Sequence, residues 1–263
     1  MTNDMHGACH LEIGCFHIGC AGWALPKDAQ AVFAPEGSHL ERYAGRLNAV
    51  EINSSFYRPH KPATYARWAA SVPPDFRFSV KLPKAITHER RLADCQDLLD
   101  AFLAEAGQLG GKLGCLLVQL PPSLAFQAER VDAFFASLRE RHVGHVVIEP
   151  RHASWFSADA SGLLMQHHID LVLADPAPCA GAAWPLAFED DVSSKIAYYR
   201  LHGSPRIYDD NYDQAYLQAL AQRLQADAQR FQSVWCVFDN TALGAATLNA
   251  LDLVELLKKR TQP

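Results

Sequence analysis

The sequence predicts a single-domain (β/α)8 TIM barrel, and three observations predict it. Eight short apolar runs rich in Val, Ile and Leu each end in polar or charged residues. Segments with helical periodicity separate most of these runs. The chain has 263 residues, close to the roughly 250 residues of one such barrel. Strands that alternate with helices indicate right-handed βαβ units, and eight units indicate a closed α/β barrel.

The eight apolar runs are expected to form the strands. A parallel strand that is covered on both faces is apolar almost throughout, as these runs are. In chain order they are residues 16–23, 49–57, 77–84, 114–123, 145–152, 170–175, 195–203 and 234–241.

Seven segments place apolar residues three and four positions apart, which is typical of helices that pack against a sheet. They are residues 39–47, 63–71, 95–109, 128–141, 158–168, 213–231 and 243–259. Residues 176–194 contain three prolines and no helical pattern, so an irregular connection is expected between the sixth and seventh strands. Long loops are expected at 82–94 and 204–212.

The chain is expected to have one domain. We predict a flexible N-terminal tail at residues 1–15 and a (β/α)8 barrel domain at residues 16–263. The N-terminus has neither a basic start nor an apolar core, so we expect no secretory signal.

Composition limits the classes of function. The net charge is −5 and the sequence pI is about 6.2, which gives no support for binding to nucleic acid or to a membrane. No apolar run reaches the roughly 20 residues of a membrane span. Seven cysteines, an odd number without disulfide spacing, predict free thiols and a cytoplasmic location.

Six motifs carry a resemblance to a known family. They are IGCAGW (18–23), the segment 50–88, KLGCLLVQLPPS (112–123), IEPRHASWF (148–156), YYRLHG (198–203) and VFDNTALGAATLNA (237–250). In these motifs the chain resembles the YecE-like family of uncharacterised conserved proteins, over nearly its whole length. The resemblance implies a TIM barrel, and it implies no particular reaction, substrate or cofactor.

The candidate site consists of polar residues at the ends of the strands, because a TIM barrel carries its active site there. Residues two positions apart on a strand share a face. Glu51 and Asn53 are therefore expected to share one face of their strand, as are Glu149 and Arg151, and Arg200 and His202. A buried ion-pair network, such as one between Glu149 and Arg200, is the alternative interpretation.

We predict a catalytic group and a substrate-binding group. The catalytic candidates are Glu51, Lys81, Glu149 and His202, with one glutamate as general base and the histidine as general acid. The substrate-binding candidates are Trp23, Asn53, Tyr57, Gln119, Arg151, His152, Arg200 and Asn240. Arginines hold anions by bidentate contact, amides orient hydroxyl groups, and aromatic rings stack on a sugar or a base.

Lys81 admits three interpretations. An inward-facing lysine with a lowered pKa forms a Schiff base or acts as a general base. A protonated lysine neutralises a phosphate or carboxylate as a point charge. The third interpretation is structural, namely a salt bridge to Glu51 on the neighbouring strand.

Two other chemistries stay open. Glu51 and Glu149 would serve as a glycosidase pair if their separation suited it. No cofactor is assigned, and a divalent metal ion held by Glu51, Glu149, Asp175 and His202 is the alternative.

The sequence thus predicts an enzyme that acts on a small polar substrate with an anionic or sugar-like group, by acid–base chemistry. One alternative is a metal-dependent hydrolase or isomerase of a phosphodiester or sugar phosphate, which would admit nucleic acid as a partner. The other is a non-catalytic ligand-binding barrel. No membrane partner is expected.

Overall fold

The computed structural model describes residues 15–179, 196–204 and 206–259. The predicted tail, residues 1–15, lies outside the described residues except for its last residue. Most of the predicted irregular connection at 176–194 lies outside them as well.

Eight parallel strands form a closed barrel in the order of the sequence, which confirms the predicted fold. Each strand pairs with the next, and the eighth pairs with the first. Every strand overlaps one of the predicted runs. They are β1 (Phe16–Ala21), β2 (Ala49–Ile52), β3 (Arg77–Lys81), β4 (Leu113–Gln119), β5 (His145–Glu149), β6 (Asp170–Asp175), β7 (Ile196–Leu201) and β8 (Ser233–Phe238).

Helices connect the strands and pack against the outside of the barrel. Within the described residues they are α1 (His39–Ala44), α2 (Ser54–Tyr57), α3 (Pro62–Ala70), α4 (Gln96–Ala106), α5 (Ala128–Arg139), α6 (Ala158–Gln166), α7 (Gln214–Asp227) and α8 (Ala245–Lys259). All except α2 overlap predicted helical segments. Shorter 3-10 turns occupy Lys27–Val32, Gly107–Lys112 and Ala153–Trp155, and a π-helical turn occupies Ala85–Glu89.

The prediction for residues 49–57 is wrong after β2, because the strand ends at Ile52 and α2 begins at Ser54. The Ser55 hydroxyl donates to the backbone oxygen of Lys81 at 2.6 Å and lies 2.9 Å from that of Ile52. Serine hydroxyls that bond to nearby backbone compete in this way with strand pairing. The short helix fixes Phe56 beside the end of β3.

The barrel interior has an apolar floor. Its members are Ala49, Cys115, Leu117, Val147, Val172, Ala174, Ile196, Tyr198, Trp235 and Val237. The rings of Tyr198 and Trp235 are stacked with their centroids 5.7 Å apart. A separate, larger core fills the space between strands and helices. The inward positions nearer the C-terminal ends of the strands are polar, which places the charges of the barrel above this floor.

The sequence composition leads us to expect free thiols and no membrane-spanning helix. The cysteines among the described residues are free thiols, and four of them are buried: Cys20, Cys95, Cys115 and Cys236. In the ranges that the structure covers, we find no helix with the length and apolarity that crossing a bilayer requires.

Candidate functional site

Arg200 of β7 lies at the centre of a buried charge cluster. Its side chain is fully buried and its guanidinium contacts three carboxylates. Nε and Nη2 donate to Glu51 at 3.0 and 2.8 Å. Nη2 also lies 3.0 Å from Asp239 Oδ2, and Nη1 donates to Glu149. Because the three acids belong to β2, β5 and the end of β8, one arginine connects four strands.

The cluster follows from the cost of burying charge. An unpaired buried ion costs several kcal/mol, so buried ions are stable only when they are paired and hydrogen-bonded. Burial alone would lower the pKa of Arg200, but Glu149, Glu51 and Asp239 hold it well above its usual range. The ion pair between Glu149 and Arg200, considered above as an alternative to a site, is therefore present.

Glu149 is held by a second guanidinium as well. Arg151 donates to Glu149 Oε1 from Nε at 2.9 Å and from Nη2 at 2.8 Å. Burial would raise the pKa of Glu149, but Arg200, His202 and Arg151 hold it well below its usual range. A carboxylate with so low a pKa is a weak base, which disfavours the general-base role predicted for it.

His202 lies between two carboxylates. Its Nδ1 is 3.0 Å from Asp239 Oδ2, and its Nε2 is 3.4 Å from Glu149 Oε1. Burial would lower the pKa of His202, but Glu149 and the hydrogen bond with Asp239 raise it. The imidazole therefore favours its cationic form, which is the form that a general acid needs.

Lys81, at the end of β3, differs from the other cations of the cluster. Its side chain is only 8% exposed. Within the part of the chain that the structure describes, its amine makes no hydrogen bond or ion pair. The salt bridge to Glu51 is absent, because both oxygens of that carboxylate accept from Arg200. Nζ instead lies 4.3 Å from the centre of the Phe56 ring.

The surroundings of Lys81 make its ammonium form costly. Burial is the main reason that its pKa is lowered to about 8, and the charge of Arg200 is the second. Glu51, Glu149 and Asp239 act in the opposite direction, but they do not restore the ordinary value of 10.5. Lys81 can therefore change its protonation state close to neutral pH.

Aromatic and basic side chains surround this end of the barrel. The rings of Phe56 and His88 are 4.9 Å apart. The pKa of His88 is lowered by burial first and then by the charges of Lys81 and Arg151. Tyr208, from the predicted long loop at 204–212, packs against His202 with ring centroids 5.9 Å apart.

The cluster has more positive than negative groups. Among its described members, the carboxylates of Glu51, Glu149 and Asp239 are matched by two arginines and by Lys81. A protonated His202 then leaves one positive charge in excess. An anion entering from the open end would neutralise that charge, and the surrounding low dielectric would strengthen the attraction.

Two predicted amide side chains lie at the same end without partners of their own. Gln119 is 7% exposed and pairs in register with Glu149, and its amide makes no hydrogen bond to any described residue. Asn53 Oδ1 is buried and has no partner within the described chain. Buried polar atoms are normally hydrogen-bonded, so both amides can accept a partner from a bound molecule or water.

Asn240 does not join the cluster. Because Asp239 points into the barrel, the next residue points outward. Asn240 Nδ2 donates to the Asp210 backbone oxygen and to Asn249 Oδ1, both at 3.0 Å. Its side chain thus connects the loop after β7 to α8.

Asp175 does not join the cluster either. It follows the inward-facing Ala174, and its carboxylate accepts a hydrogen bond from the Tyr212 hydroxyl at 2.8 Å. Three of the four predicted metal ligands thus lie in the cluster, but the two glutamates among them contact arginines and Asp175 lies apart. Among the described residues, no group of three or more His, Cys, Asp or Glu side chains is arranged to hold a metal ion.

Three other predicted residues make their contacts elsewhere. Trp23 packs edge-on against Trp68 of α3, with ring centroids 5.0 Å apart. Tyr57 is 79% exposed at the end of α2. His152 Nδ1 lies 2.8 Å from Ser154 Oγ, where it caps the 3-10 turn at Ala153–Trp155.

Three buried polar residues were not predicted as part of the site. The Tyr198 hydroxyl lies 2.9 Å from Glu51 Oε2 and 2.8 Å from Ser79 Oγ. Asp239, the acid that directly follows β8, contacts both Arg200 and His202. Two-residue alternation gives the missing signal, because it places Tyr198 on the face of Arg200 and Ser79 on the face of Lys81.

Solved structures with the same fold support the barrel. A DUF72 family protein from Thermotoga maritima has a TM-score of 0.77 at 24% identity, covering 92% of this chain and 99% of that one. A DUF72 family protein from Enterococcus faecalis has a TM-score of 0.76 at 21% identity, covering 92% and 95%. At these identities the likeness concerns the fold alone.

Sequence relatives lead to the same family. The UPF0759 protein YunF of Bacillus subtilis is 23% identical over 92% of this chain and 94% of its own length. The UPF0759 protein YecE of Escherichia coli K12 is 35% identical over 105 residues, which are 40% of this chain and 37% of that protein. The family described as "Protein of unknown function DUF72" matches residues 17–263. The resemblance to YecE-like proteins is thereby confirmed, and the chain belongs to the DUF72 family.

Proposed function

We propose that this protein is an enzyme that acts on a small polar substrate carrying an anionic group, by acid–base chemistry at the C-terminal end of the barrel. The observation that carries the proposal is the unpaired amine of Lys81, beside a cluster whose carboxylates are all engaged by other residues. A buried charge without a counterion is costly, and groups of this kind concentrate at functional sites.

The proposed roles follow from the protonation states. His202, with a raised pKa, is the general acid. Lys81, with a pKa of about 8, is the general base in its neutral form and an anion partner in its charged form. This reassigns the base from Glu51 and Glu149, which orient Arg200 instead.

Substrate contacts come from the remaining polar groups. Arg151 is 24% exposed and is placed to meet an anionic group of the substrate. Gln119 and Asn53 have free amide groups that would orient hydroxyls of a sugar-like part. Asn240 has no role in this proposal, because its side chain lies outside the barrel, where its amide nitrogen bonds to the Asp210 backbone oxygen and to Asn249.

A non-catalytic binding barrel fits the protonation states less well. Burial would lower the pKa of both His202 and Lys81, yet acid partners raise that of the histidine while the lysine falls to about 8. A base whose pKa falls toward neutral and an acid whose pKa is raised suit acid–base catalysis, whereas binding alone does not need them. Because arginines engage both glutamates and Asp175 lies apart from the other predicted metal ligands, we do not extend the proposal to metal-dependent chemistry.

The proposal includes a cytoplasmic location. The described cysteines are free thiols, and a reducing compartment maintains thiols in that state.

The proposal is tested first with sulfate, whose charge is constant above pH 3. Titration calorimetry should show sulfate binding at pH 7 that weakens as the pH rises through 8, because Lys81 loses its proton there. Lys81→Gln should lose about tenfold in affinity, as one charge contact is worth roughly 1.4 kcal/mol or more. Lys84→Gln is the matched control, because that side chain is 53% exposed and pairs with Glu89.

Activity is tested on the same proteins. Proton NMR would follow turnover of panels of sugar phosphates and 2-oxo acids, and Lys81→Gln should abolish any turnover that the wild type and Lys84→Gln share. Equal sulfate affinity in wild type and Lys81→Gln would overturn the proposal.

A further inference from the structure

We propose that the Lys81 amine is a covalent nucleophile, which forms a Schiff base with the carbonyl carbon of an aldehyde or ketone that also carries an anionic group. This inference rests on the proposed function, because it uses the same end of the barrel and the same neutral amine, which here attacks carbon where the proposed function has it take a proton. It adds the electrophile and thereby the substrate class.

The first argument is the isolation of the amine from carboxylates. Arg200 engages Glu51, Glu149 and Asp239, so no acid is left to hold Lys81 in its ammonium form. The amine makes no hydrogen bond or ion pair to any residue in the described ranges. A lysine that served only to balance the three acids would lie against one of them. The arrangement leaves a lone pair available once the proton is lost, as the pKa of about 8 allows.

The second argument is the position of Phe56. Its ring centre is 4.3 Å from Nζ, and the ring is braced by His88 at 4.9 Å between centroids. The Ser55 hydroxyl, bonded to the Lys81 backbone oxygen at 2.6 Å, anchors α2 beside β3. A protonated imine keeps the positive charge of the lysine. The ring face would stabilise that cation while it keeps water away from the C=N bond.

The chemistry balances without any other reagent. The neutral amine attacks the carbonyl carbon, a C–N bond forms, and the carbonyl π pair moves to oxygen, which takes a proton. The nitrogen then gives up one of its two protons to the group that protonated the oxygen, which leaves a neutral carbinolamine. Its hydroxyl departs as water after that proton is returned to it, and the freed nitrogen lone pair forms the C=N bond. The net change converts a carbonyl and an ammonium group into a protonated imine and one water. His202, at the same end of the barrel and with a raised pKa, is the proton donor that we assign.

The anionic group of the substrate follows from the charge excess of the cluster. With Lys81 converted to an imine, the cation count is unchanged, so the excess positive charge remains. Arg151 offers the exposed part of its guanidinium to a carboxylate or phosphate on the same molecule. The substrate class is therefore a 2-oxo acid or a phosphorylated aldehyde or ketone.

The test is trapping by sodium cyanoborohydride at pH 7.5, with pyruvate and glyceraldehyde 3-phosphate as probes. The reductant converts an imine into a stable secondary amine, which peptide mass mapping locates. We expect Lys81 to be modified at least tenfold faster than Lys84, although Lys81 is 8% exposed and the Lys84 side chain is 53% exposed. Sulfate should slow the modification of Lys81 and leave that of Lys84 unchanged.

Two variants separate this inference from the proposed function. Lys81→Arg keeps the charge and cannot form an imine, so it should retain sulfate binding within about threefold and lose the trapped product. Lys84→Arg should behave as the wild type in both measurements. Modification of Lys81 no faster than that of Lys84 in the wild-type protein would overturn the Schiff base. In that case, sulfate binding lost only in Lys81→Gln would leave the proposed function standing.

Discussion

A single buried lysine distinguishes this site from an ordinary ion-pair network. Arg200 shows the ordinary case, since each of its nitrogens meets a carboxylate and its pKa is raised. The same acids raise the pKa of Lys81, but burial and the charge of Arg200 lower it by more, so the pKa falls. The difference follows from position. The arginine lies among the acids, whereas the lysine lies beyond them, above an aromatic ring.

The lowered pKa has a consequence for stability. Between pH 8 and the ordinary value of 10.5 the unfolded chain binds the Lys81 proton more tightly than the folded protein does. Stability therefore rises over that window, and below pH 8 the full cost of the buried ammonium is present. We predict that Lys81→Met stabilises the protein at pH 7 by about 1–3 kcal/mol, and that this gain shrinks as the pH rises above 8.

Urea unfolding at pH 7 and at pH 10 measures this prediction. Lys84→Met is the control, and at its exposed position the change should stay within about 0.5 kcal/mol. If Lys81→Met were less stable than the wild type at pH 7, Lys81 would be a structural residue with a net favourable interaction.

The contact between β1 and β2 shows how tightly neighbouring elements fit. The Tyr43 hydroxyl of α1 accepts from the Cys20 backbone nitrogen at 2.8 Å and donates to the Ala49 backbone oxygen at 2.9 Å. The hydroxyl therefore lies between the two strands. Gly19 permits this approach, because a Cβ there would lie 1.9 Å from the Ala49 oxygen and 2.9 Å from the tyrosine hydroxyl.

We predict that Gly19→Ala destabilises the protein by about 3 kcal/mol or more, since backbone and not a flexible side chain would have to move. Gly107→Ala is the matched control, because a Cβ there meets nothing within 4 Å and the backbone is helical with φ −59°. That control should be neutral or stabilising by up to about 1 kcal/mol. Urea denaturation of both variants decides the matter, and equal stability would mean that β1 can shift freely along β2.

The charge cluster connects the barrel across its width. Glu51, Glu149, Arg200 and Asp239 belong to β2, β5, β7 and the end of β8, so the network joins strands that are not neighbours in the sheet. Removing one charge from this network should therefore lower the free energy of unfolding of the whole barrel.

Acid titration tests this view. The pKa of Glu149 is held well below its ordinary value of 4.5, so its contribution to stability is present above pH 4.5 and is lost as the pH falls through the folded-state value. We predict that Glu149→Gln costs about 3–5 kcal/mol near pH 7, because it leaves the buried Arg200 undercompensated. The difference from wild type should shrink below pH 4.5. Glu140→Gln, at a side chain that is 74% exposed, should follow the wild-type curve at every pH.

Most of the architecture follows from local pattern. Each of the eight strands overlaps an apolar run, because strands inside a barrel are buried on both faces. The strand predicted at 49–57 gives way to a helix at Ser54–Tyr57 for a tertiary reason, because the Ser55 hydroxyl bonds to a backbone oxygen 26 residues away. No local propensity records a partner at that distance.

The site was predictable only in part. Position at a strand end selected Glu51, Lys81, Glu149, Arg200 and His202, and the structure brings these residues together. It also selected Asn240 and Asp175, which face outward, because position alone does not say which of two adjacent residues points inward. That Lys81 is left unpaired depends on distances across the barrel, which strand patterns do not contain.

The floor beneath the cluster determines how molecules would pass through the site. Trp235 fills the lower barrel so closely that a Cβ on Gly114 would lie 2.6 Å from its ring, and Tyr198 is stacked above it. Both rings are at most 1% exposed. A molecule that reaches Lys81 therefore enters and leaves at the C-terminal end of the barrel. If the proposed activity holds, product has to depart before the next substrate arrives, so we expect product inhibition to be competitive with substrate.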